Sequence, residues 1–365
     1  MRVFMTGRRP LKVFRRIIFV KATVFHKHGG PDVLSYEEIA RPKVGPSDVL
    51  VDVKAVALNH LDLFVRGGIP GLSLEMPHIL GSDISGVVAE KGANVPDDIE
   101  IGQKVIVDPG MSCGTCEFCV KGEESLCASY GILGEHHRGG YAEFISLDHQ
   151  NIIKVPDSSG LDFIHSAAVP LTLMTAWRML ISKAKIRPGE DFLIIGIGGG
   201  VALAALQIAK AAGARVIVTS SSDEKLEKAK TLGADMGINH VSDSEYHKAI
   251  MKMTGGRGVD VVLDSVGAAT WAKSLKSLRK GGRLVTCGAT SGPLAETNIN
   301  LVFWKQLEIL GSTMASRSEL REALKLVWDG RIRPIVDSVY PLSEARTAHE
   351  VLERGEQFGK IVLQP

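Results

Sequence analysis

The sequence predicts an α/β protein of two lobes, a mainly antiparallel β lobe first and a doubly wound parallel-sheet lobe second. Three observations predict it. Residues 48–56 alternate, with Val49, Val51, Val53 and Ala55 on one face and Asp52 and Lys54 on the other, as in a half-buried strand. Gly and Pro punctuate residues 20–155 densely, as in Gly29-Gly30-Pro31, Gly45-Pro46 and Gly67-Gly68, which suits many short antiparallel strands. After Pro170, apolar runs alternate with helical stretches at 192–195, 201–212, 215–219, 223–232 and 259–263. That spacing argues for βαβ units and a parallel sheet covered on both faces.

Taken in chain order, residues 1–21 carry Arg2, Arg8, Arg9, Lys12, Arg15, Arg16 and Lys21 and nothing acidic. A targeting presequence is one reading. A plain extension ahead of the first strand is preferred, because Gly7 and Pro10 interrupt any amphipathic helix. A secretory signal fits poorly, since the apolar stretch at 17–20 is short and no small-residue cleavage site follows. The expected divisions are an extension (1–20), a β lobe with a cysteine-rich insert (21–171), a nucleotide-type lobe (172–313) and a closing segment that rejoins the first lobe (314–365). In the second lobe, Ser221 stands three before Glu224 and reads as a capping box, with Gly233 ending that helix; Ser316, Glu319 and Gly330 repeat the pattern.

The chain's 43 basic and 41 acidic residues leave a formal charge of +2, and aromatics make up 5%. No basic stripe interleaved with aromatics exists, so no nucleic-acid partner is expected. The longest apolar candidate, 192–206, contains four glycines and is too short to span a bilayer, so no membrane partner is expected and the location is read as cytoplasmic.

Four of the five cysteines fall within fifteen residues, as Cys113-x-x-Cys116-x-x-Cys119 and then Cys127. This spacing supplies four thiolates on a loop that Gly114 and Gly122 allow to wrap, the donor set of a tetrahedral zinc. Disulfides would require an oxidising compartment. Four protein ligands leave no open position, so one structural zinc per chain is predicted, unable to polarise a substrate. Cys287 reads as a small buried hydrophobe.

Residues 191–202 form an apolar strand, a Gly-rich turn and a helix start. A pyrophosphate at a helix N-terminus needs bare backbone N–H groups there. Strict G-x-G-x-x-G spacing fails, but Gly196, Gly199 and Ala202 satisfy a related pattern of small residues, with Gly200 beside them. The next strand ends in Ser220, Ser221 and Ser222 where NAD sites usually place an acid, and the first acid, Asp223, comes later. Those hydroxyls with Lys225 suit a 2′-phosphate, so NADP(H) is expected over NAD(H).

These motifs, with 54–62 (Lys-Ala-Val-Ala-Leu-Asn-His-Leu-Asp), Gly81-Ser82-Asp83, Gly139-Gly140-Tyr141-Ala142-Glu143, Thr175-Ala176-Trp177 and Gly359-Lys360-Ile361, resemble the medium-chain dehydrogenase/reductases from Lys21 to Pro365. The resemblance implies a GroES-like catalytic domain and a Rossmann domain with a cleft between them, in a homodimer or homotetramer. It also implies a departure. The zinc alcohol dehydrogenases carry a Cys ligand where this chain has Asn59 and their relay hydroxyl where it has Leu61. Their Gly-His-Glu motif reads Gly81-Ser82-Asp83, and their third ligand should fall within 170–175, which holds no Cys. Asn59 and Asp62 in this arrangement look like the zinc-free quinone-reductase branch.

The expected activity is therefore hydride transfer from NADPH to a small quinone, enone, enoyl or aldehyde substrate without a catalytic metal. Asn59 and His60 are the expected donors to the developing oxyanion, with Asp62 holding the loop or orienting His60, and His60 giving the proton at neutral pH. Thr175 and Gly288 are expected beside the nicotinamide. The alternative is a zinc-dependent alcohol dehydrogenase with a shifted metal site drawn from His60, His78, His136 and His137 with Asp62 or Asp83. The strand-like stretch 307–313 could pair with a second copy.

Overall fold

The computed structural model describes residues 18–365. The basic N-terminal run, apart from Lys21, lies outside the described residues. Two large sheets organise the rest. The first has seven strands: Ile152–Lys154, Lys104–Val107, Asp83–Lys91, Asp48–Ala57, Lys360–Gln364 and Val336–Pro341 in that order, with Phe144–Asp148 also pairing Asp48–Ala57. Its pairings are antiparallel except that between Val336–Pro341 and Lys360–Gln364. The strand read at 48–56 extends one residue further; Val49, Val51 and Val53 share one apolar cluster as expected, but Leu50 is buried too, and a bulge between Val53 and Ala55 turns Ala55 into a different cluster.

The second sheet has six parallel strands in the order Met236–Asn239, Arg215–Ser220, Asp191–Ile194, Val259–Leu263, Leu278–Thr286 and Glu308–Gly311. Relative to chain order this is 3-2-1-4-5-6, the Rossmann arrangement, with its crevice where the order reverses. Its middle strands are buried throughout, which explains why they read as unbroken apolar runs. One of the clusters flanking them contains Phe192, Ile194, Val216, Val218, Val261 and Leu263.

Helix ends follow local chemistry. Ser316 accepts from the Glu319 N–H while Glu319 returns to the Ser316 N–H, completing the expected capping box of Arg317–Trp328. The other cap is displaced by one residue. Ser222, not Ser221, is the N-cap of Asp223–Thr231 and accepts from the Lys225 N–H, because the preceding strand runs on to Ser220.

One connection positions the site. The last strand, Lys360–Gln364, returns from the far end of the chain and pairs antiparallel with Asp48–Ala57, setting Val362 opposite Ala57 and Leu363 opposite Val56. Lys360 is thereby delivered to the loop that follows Ala57. Among the described residues no helix is long and apolar enough to cross a membrane.

Candidate active site and metal centre

Between the sheets lies a cleft of about 630 Å³. Its lining includes Asn59, His60, Thr175, Gly196, Gly199, Gly200, Ala202, Ser220, Ser221, Lys225 and Gly288. Of the residues singled out as catalytic or cofactor-binding, the fold gathers all but Asp62 and Ser222 on that wall.

Asn59 precedes the helix His60–Gly67 and is held there by Asp62, whose carboxylate accepts from the Asn59 N–H at 2.7 Å and from the Gly81 N–H at 3.0 Å. Asp62 therefore holds the loop; no hydrogen bond links it to the His60 ring. Burial raises its carboxyl to about 6. Behind it, Arg66 donates to Nδ1 of His349, so the neutral His349 ring donates from Nε2 to the Tyr141 hydroxyl at 3.1 Å. That chain of buried groups braces the loop from the protein side.

Lys360, which the sequence left without a role, and Asp83, offered there only as an alternative metal ligand, complete this wall. Lys360, 4% exposed, donates to Oδ1 of Asn59 at 2.6 Å and to Oδ2 of Asp83 at 2.8 Å. Asp83, fully buried, also accepts from Asn59 Nδ2 and from the Leu171 N–H. Asn59 is thus clamped between an ammonium and a carboxylate, leaving one amide N–H to spare. Glu135 also reaches the cleft, its carboxyl raised by burial. Gly359-Lys360-Ile361 was visible as a motif, but nothing local ties Lys360 to a residue 301 positions away.

Burial first, and then the charge of Lys360, hold His60 below its ordinary 6.5, so the ring is neutral at neutral pH. It can donate a hydrogen bond from a ring N–H. The expectation that it delivers a proton as imidazolium near pH 7 is corrected by this environment.

The histidines do not assemble a shifted metal site. His78 is buried and donates to the Gly134 carbonyl, while His136 accepts from the Ile132 N–H. Among the described residues, the one group of His, Cys, Asp or Glu with ligand atoms gathered closely enough for a metal is Cys113, Cys116, Cys119 and Cys127, all within 4.8 Å of one another. Neighbouring Sγ atoms stand 3.5–3.9 Å apart. A tetrahedron with Zn–S near 2.3 Å has edges of about 3.8 Å, so the cysteines fit the ion. Backbone N–H groups of Thr115 and Cys116 bring the Cys113 thiol down to about 6, toward the thiolate a metal binds.

The Gly loop fits a dinucleotide. Gly196 and Gly198 have φ of +77° and +128°, a region side chains disfavour. Gly199 caps the helix Gly200–Ala211, whose N-terminus offers free N–H groups. A Cβ on Gly200 would lie 2.7 Å from Thr172 Cγ2 and 2.9 Å from Lys360 Cδ. Thr175 donates its hydroxyl to the Leu171 carbonyl, fixing the helix that faces this loop. Cys287, expected to be buried, is partly buried against the apolar core and also lines the cleft, and burial of its sulfur raises the thiol to about 12.

Comparison with known proteins identifies this architecture. Residues 45–157 match the alcohol dehydrogenase GroES-like domain, and residues 200–329 match the zinc-binding dehydrogenase family. The chain is 35% identical to an NAD-dependent alcohol dehydrogenase of Sulfolobus acidocaldarius, over 94% of this chain and 99% of that protein. The chain belongs to the medium-chain dehydrogenase/reductase superfamily. An acryloyl-coenzyme A reductase of Sulfurisphaera tokodaii is 32% identical over 90% of this chain and 96% of that one. A crystal structure of an NAD-dependent alcohol dehydrogenase superposes with a TM-score of 0.91 at 45% identity, covering 94% and 99% of the two chains. This medium-chain dehydrogenase/reductase is accordingly an NAD(P)-dependent oxidoreductase, with a GroES-like and a Rossmann domain, a nicotinamide cofactor and bound zinc.

Proposed function

We propose that this enzyme is a cytoplasmic, NADPH-dependent reductase of enones, enoyl compounds, quinones or aldehydes, working without a catalytic metal and close to the quinone-reductase branch. The observation that carries the reading is the buried Asn59–Lys360–Asp83 cluster. Where zinc alcohol dehydrogenases place a Cys and a Gly-His-Glu motif, this chain has an amide, a carboxylate and a fixed ammonium. The ammonium supplies the positive charge and would repel a divalent ion brought beside it. The shared motifs Asn59-His60-Leu61-Asp62 and Gly81-Ser82-Asp83 support the same branch.

A nicotinamide held in the cleft would supply the hydride. The protein's part is to hold the acceptor carbon beside Thr175 and Gly288 and to meet negative charge growing on its oxygen. His60, with the spare N–H of Asn59, donates to that oxygen, while Lys360 biases the potential of the wall; the proton that completes the reduction comes from solvent. Replacing His60 with Ala is expected to lower kcat on an enone about a hundredfold, in the range for losing one oxyanion donor. Because burial holds the His60 ring below its ordinary value and raises Asp62, the clamp of its loop, to about 6, the wild-type rate should vary little between pH 7.5 and 8.5 and change as the buffer is made more acidic. Unaltered turnover in the Ala variant would remove His60 from the reaction.

NADPH preference is supported by the end of Arg215–Ser220. Asp223 turns its carboxylate to Asn239 Nδ2, leaving Ser221 exposed. Lys225 leans on Gly198 and spends one of its three protons on the Gly355 carbonyl. Ser220 and Ser222 serve the turn instead, since the Ser222 N–H bonds Ser220 Oγ and Ser222 caps the helix. NADPH should bind at least tenfold more tightly than NADH, with Lys225→Met erasing the difference; equal dissociation constants in the wild type would refute the preference.

The four-cysteine centre is read as structural, one zinc per chain, because four protein donors close the coordination sphere. A homodimer or homotetramer is supported by Glu308–Gly311, an edge strand with one side unpaired in its sheet, beside exposed Ile299, Phe303, Trp304 and Ile309. Light scattering should give a multiple of the chain mass and Ile309→Lys should reduce it; a wild-type monomer at micromolar concentration contradicts this.

A further inference from the structure

A second cavity of about 580 Å³ adjoins the cleft, and both are lined by Cys287, Gly288 and Thr313. Its polar groups fall into two sets. Some are satisfied: Arg178 pairs with Glu123 and Glu319, Trp271 Nε1 donates to Thr297, and the Thr286 hydroxyl donates to the Gly288 carbonyl. Among the rest, one is deeply buried and one is charged. The Ser312 hydroxyl, on a residue only 8% exposed, has no hydrogen-bond partner among the described residues. Lys183, partly buried, has no carboxylate within 4.0 Å among them.

Lys183 closes a π-helical stretch, Arg178–Lys183, where the Ala184 N–H reaches back to the Met179 carbonyl. Such wide turns cost helix stability and cluster at functional sites. Leu126, Ala268, Ala289, Pro293 and Ala295 form the apolar part of the lining. A buried hydroxyl without a partner costs free energy that a ligand acceptor would recover, and an unpaired lysine in a cavity calls for an anion.

We propose that this cavity is a subsite for the anionic end of an elongated substrate, a carboxylate or phosphate held by Lys183 and Ser312, with its aliphatic stem on the apolar lining. The proposal rests on the reductase reading of the cleft, where a dinucleotide takes most of the room and leaves the substrate's far end to the adjoining space. The reducible carbon would sit at Gly288 and Thr313, the residues common to both cavities.

Binding and turnover test it separately. In the holoenzyme, n-octanoate and n-octyl phosphate, neither reducible, should quench tryptophan fluorescence saturably, whereas n-octanol should not. The signal should vanish in Trp271→Phe, and affinity should fall at least tenfold in Lys183→Gln, with a smaller loss in Ser312→Ala. A stronger response to one anion identifies the tail. Lys183 is partly exposed, and an unchanged melting temperature of Lys183→Gln confirms that the fold is intact. In parallel, a straight-chain enone ending in carboxylate should show a KM at least tenfold below that of its neutral homologue at similar kcat, and Lys183→Gln should abolish that gap while leaving the neutral substrate's constants unchanged. Absence of saturable quenching, or full octanoate affinity in Lys183→Gln, overturns the subsite whatever the enzyme reduces. Failure to reduce any enone while octanoate still binds through Lys183 counts against the reductase reading and leaves the subsite standing.

Discussion

Lys360→Met is expected to lower the stability of the enzyme by about 3–5 kcal/mol, the cost of leaving one member of a buried ion pair without its partner. Asp83 would retain the Leu171 N–H and the Asn59 amide but lose the charge that offsets its own. The second substitution makes the test specific. In Lys360→Met with Asp83→Asn no unpaired charge remains, so the double variant should recover at least half of the loss, a coupling that urea denaturation of the four proteins measures directly. The same series separates stability from chemistry. If the ammonium biases the cleft wall, enone turnover stays depressed in the double variant even where its midpoint has recovered. Strict additivity of the two midpoint changes would show that the 2.8 Å contact carries no coupling and would remove the central support for metal-free reduction.

Removing the zinc should have a comparably large but local effect. Between residues 112 and 127, Cys127 alone is fully buried, so the lobe has almost no apolar core of its own. Binding a structural zinc contributes on the order of 10 kcal/mol. Cys116→Ser, or prolonged chelation, should take zinc from one per chain to none and make the lobe the first site of protease cleavage. The six-stranded sheet should keep its far-ultraviolet signal, since its cores do not include the lobe. Damage should spread only through the Glu123–Arg178 pair and through Ser125 and Leu126, which line the second cavity. Two zincs per wild-type chain, measured by elemental analysis, would contradict metal-free reduction; a lobe that stays protease-resistant without metal would contradict the structural role.

Much of the site was legible because its chemistry is local. Four thiols within fifteen residues converge by backbone turns that Gly114 and Gly122 permit, each with positive φ. The Gly loop is similarly local in sequence, one strand, one turn and one helix start, although Thr219 and Gly359 add hydrogen bonds to it from elsewhere in the chain. Caps were readable to within one residue, and the error at Ser221 arose because the end of a strand depends on its neighbour, Met236–Asn239, and not on its own composition. The four histidines illustrate the opposite case. Composition offered them as a ligand set, yet their ring nitrogens do not converge, and His78 and His136 bond instead to the Gly134 carbonyl and the Ile132 N–H.

Residue order alone thus determined the two lobes, the metal-binding loop and the phosphate-binding turn, because periodicity and short-range spacing act over a few residues. The fold decided the rest: that Lys360 meets Asn59 and Asp83, that Asp62 clamps a loop, that the His60 ring stays neutral, and that Lys183 and Ser312 share a cavity. Those outcomes depend on strand pairing between the two ends of the chain and on how deeply each charge is withdrawn from water, and neither distance nor dielectric environment is written in the spacing of residues.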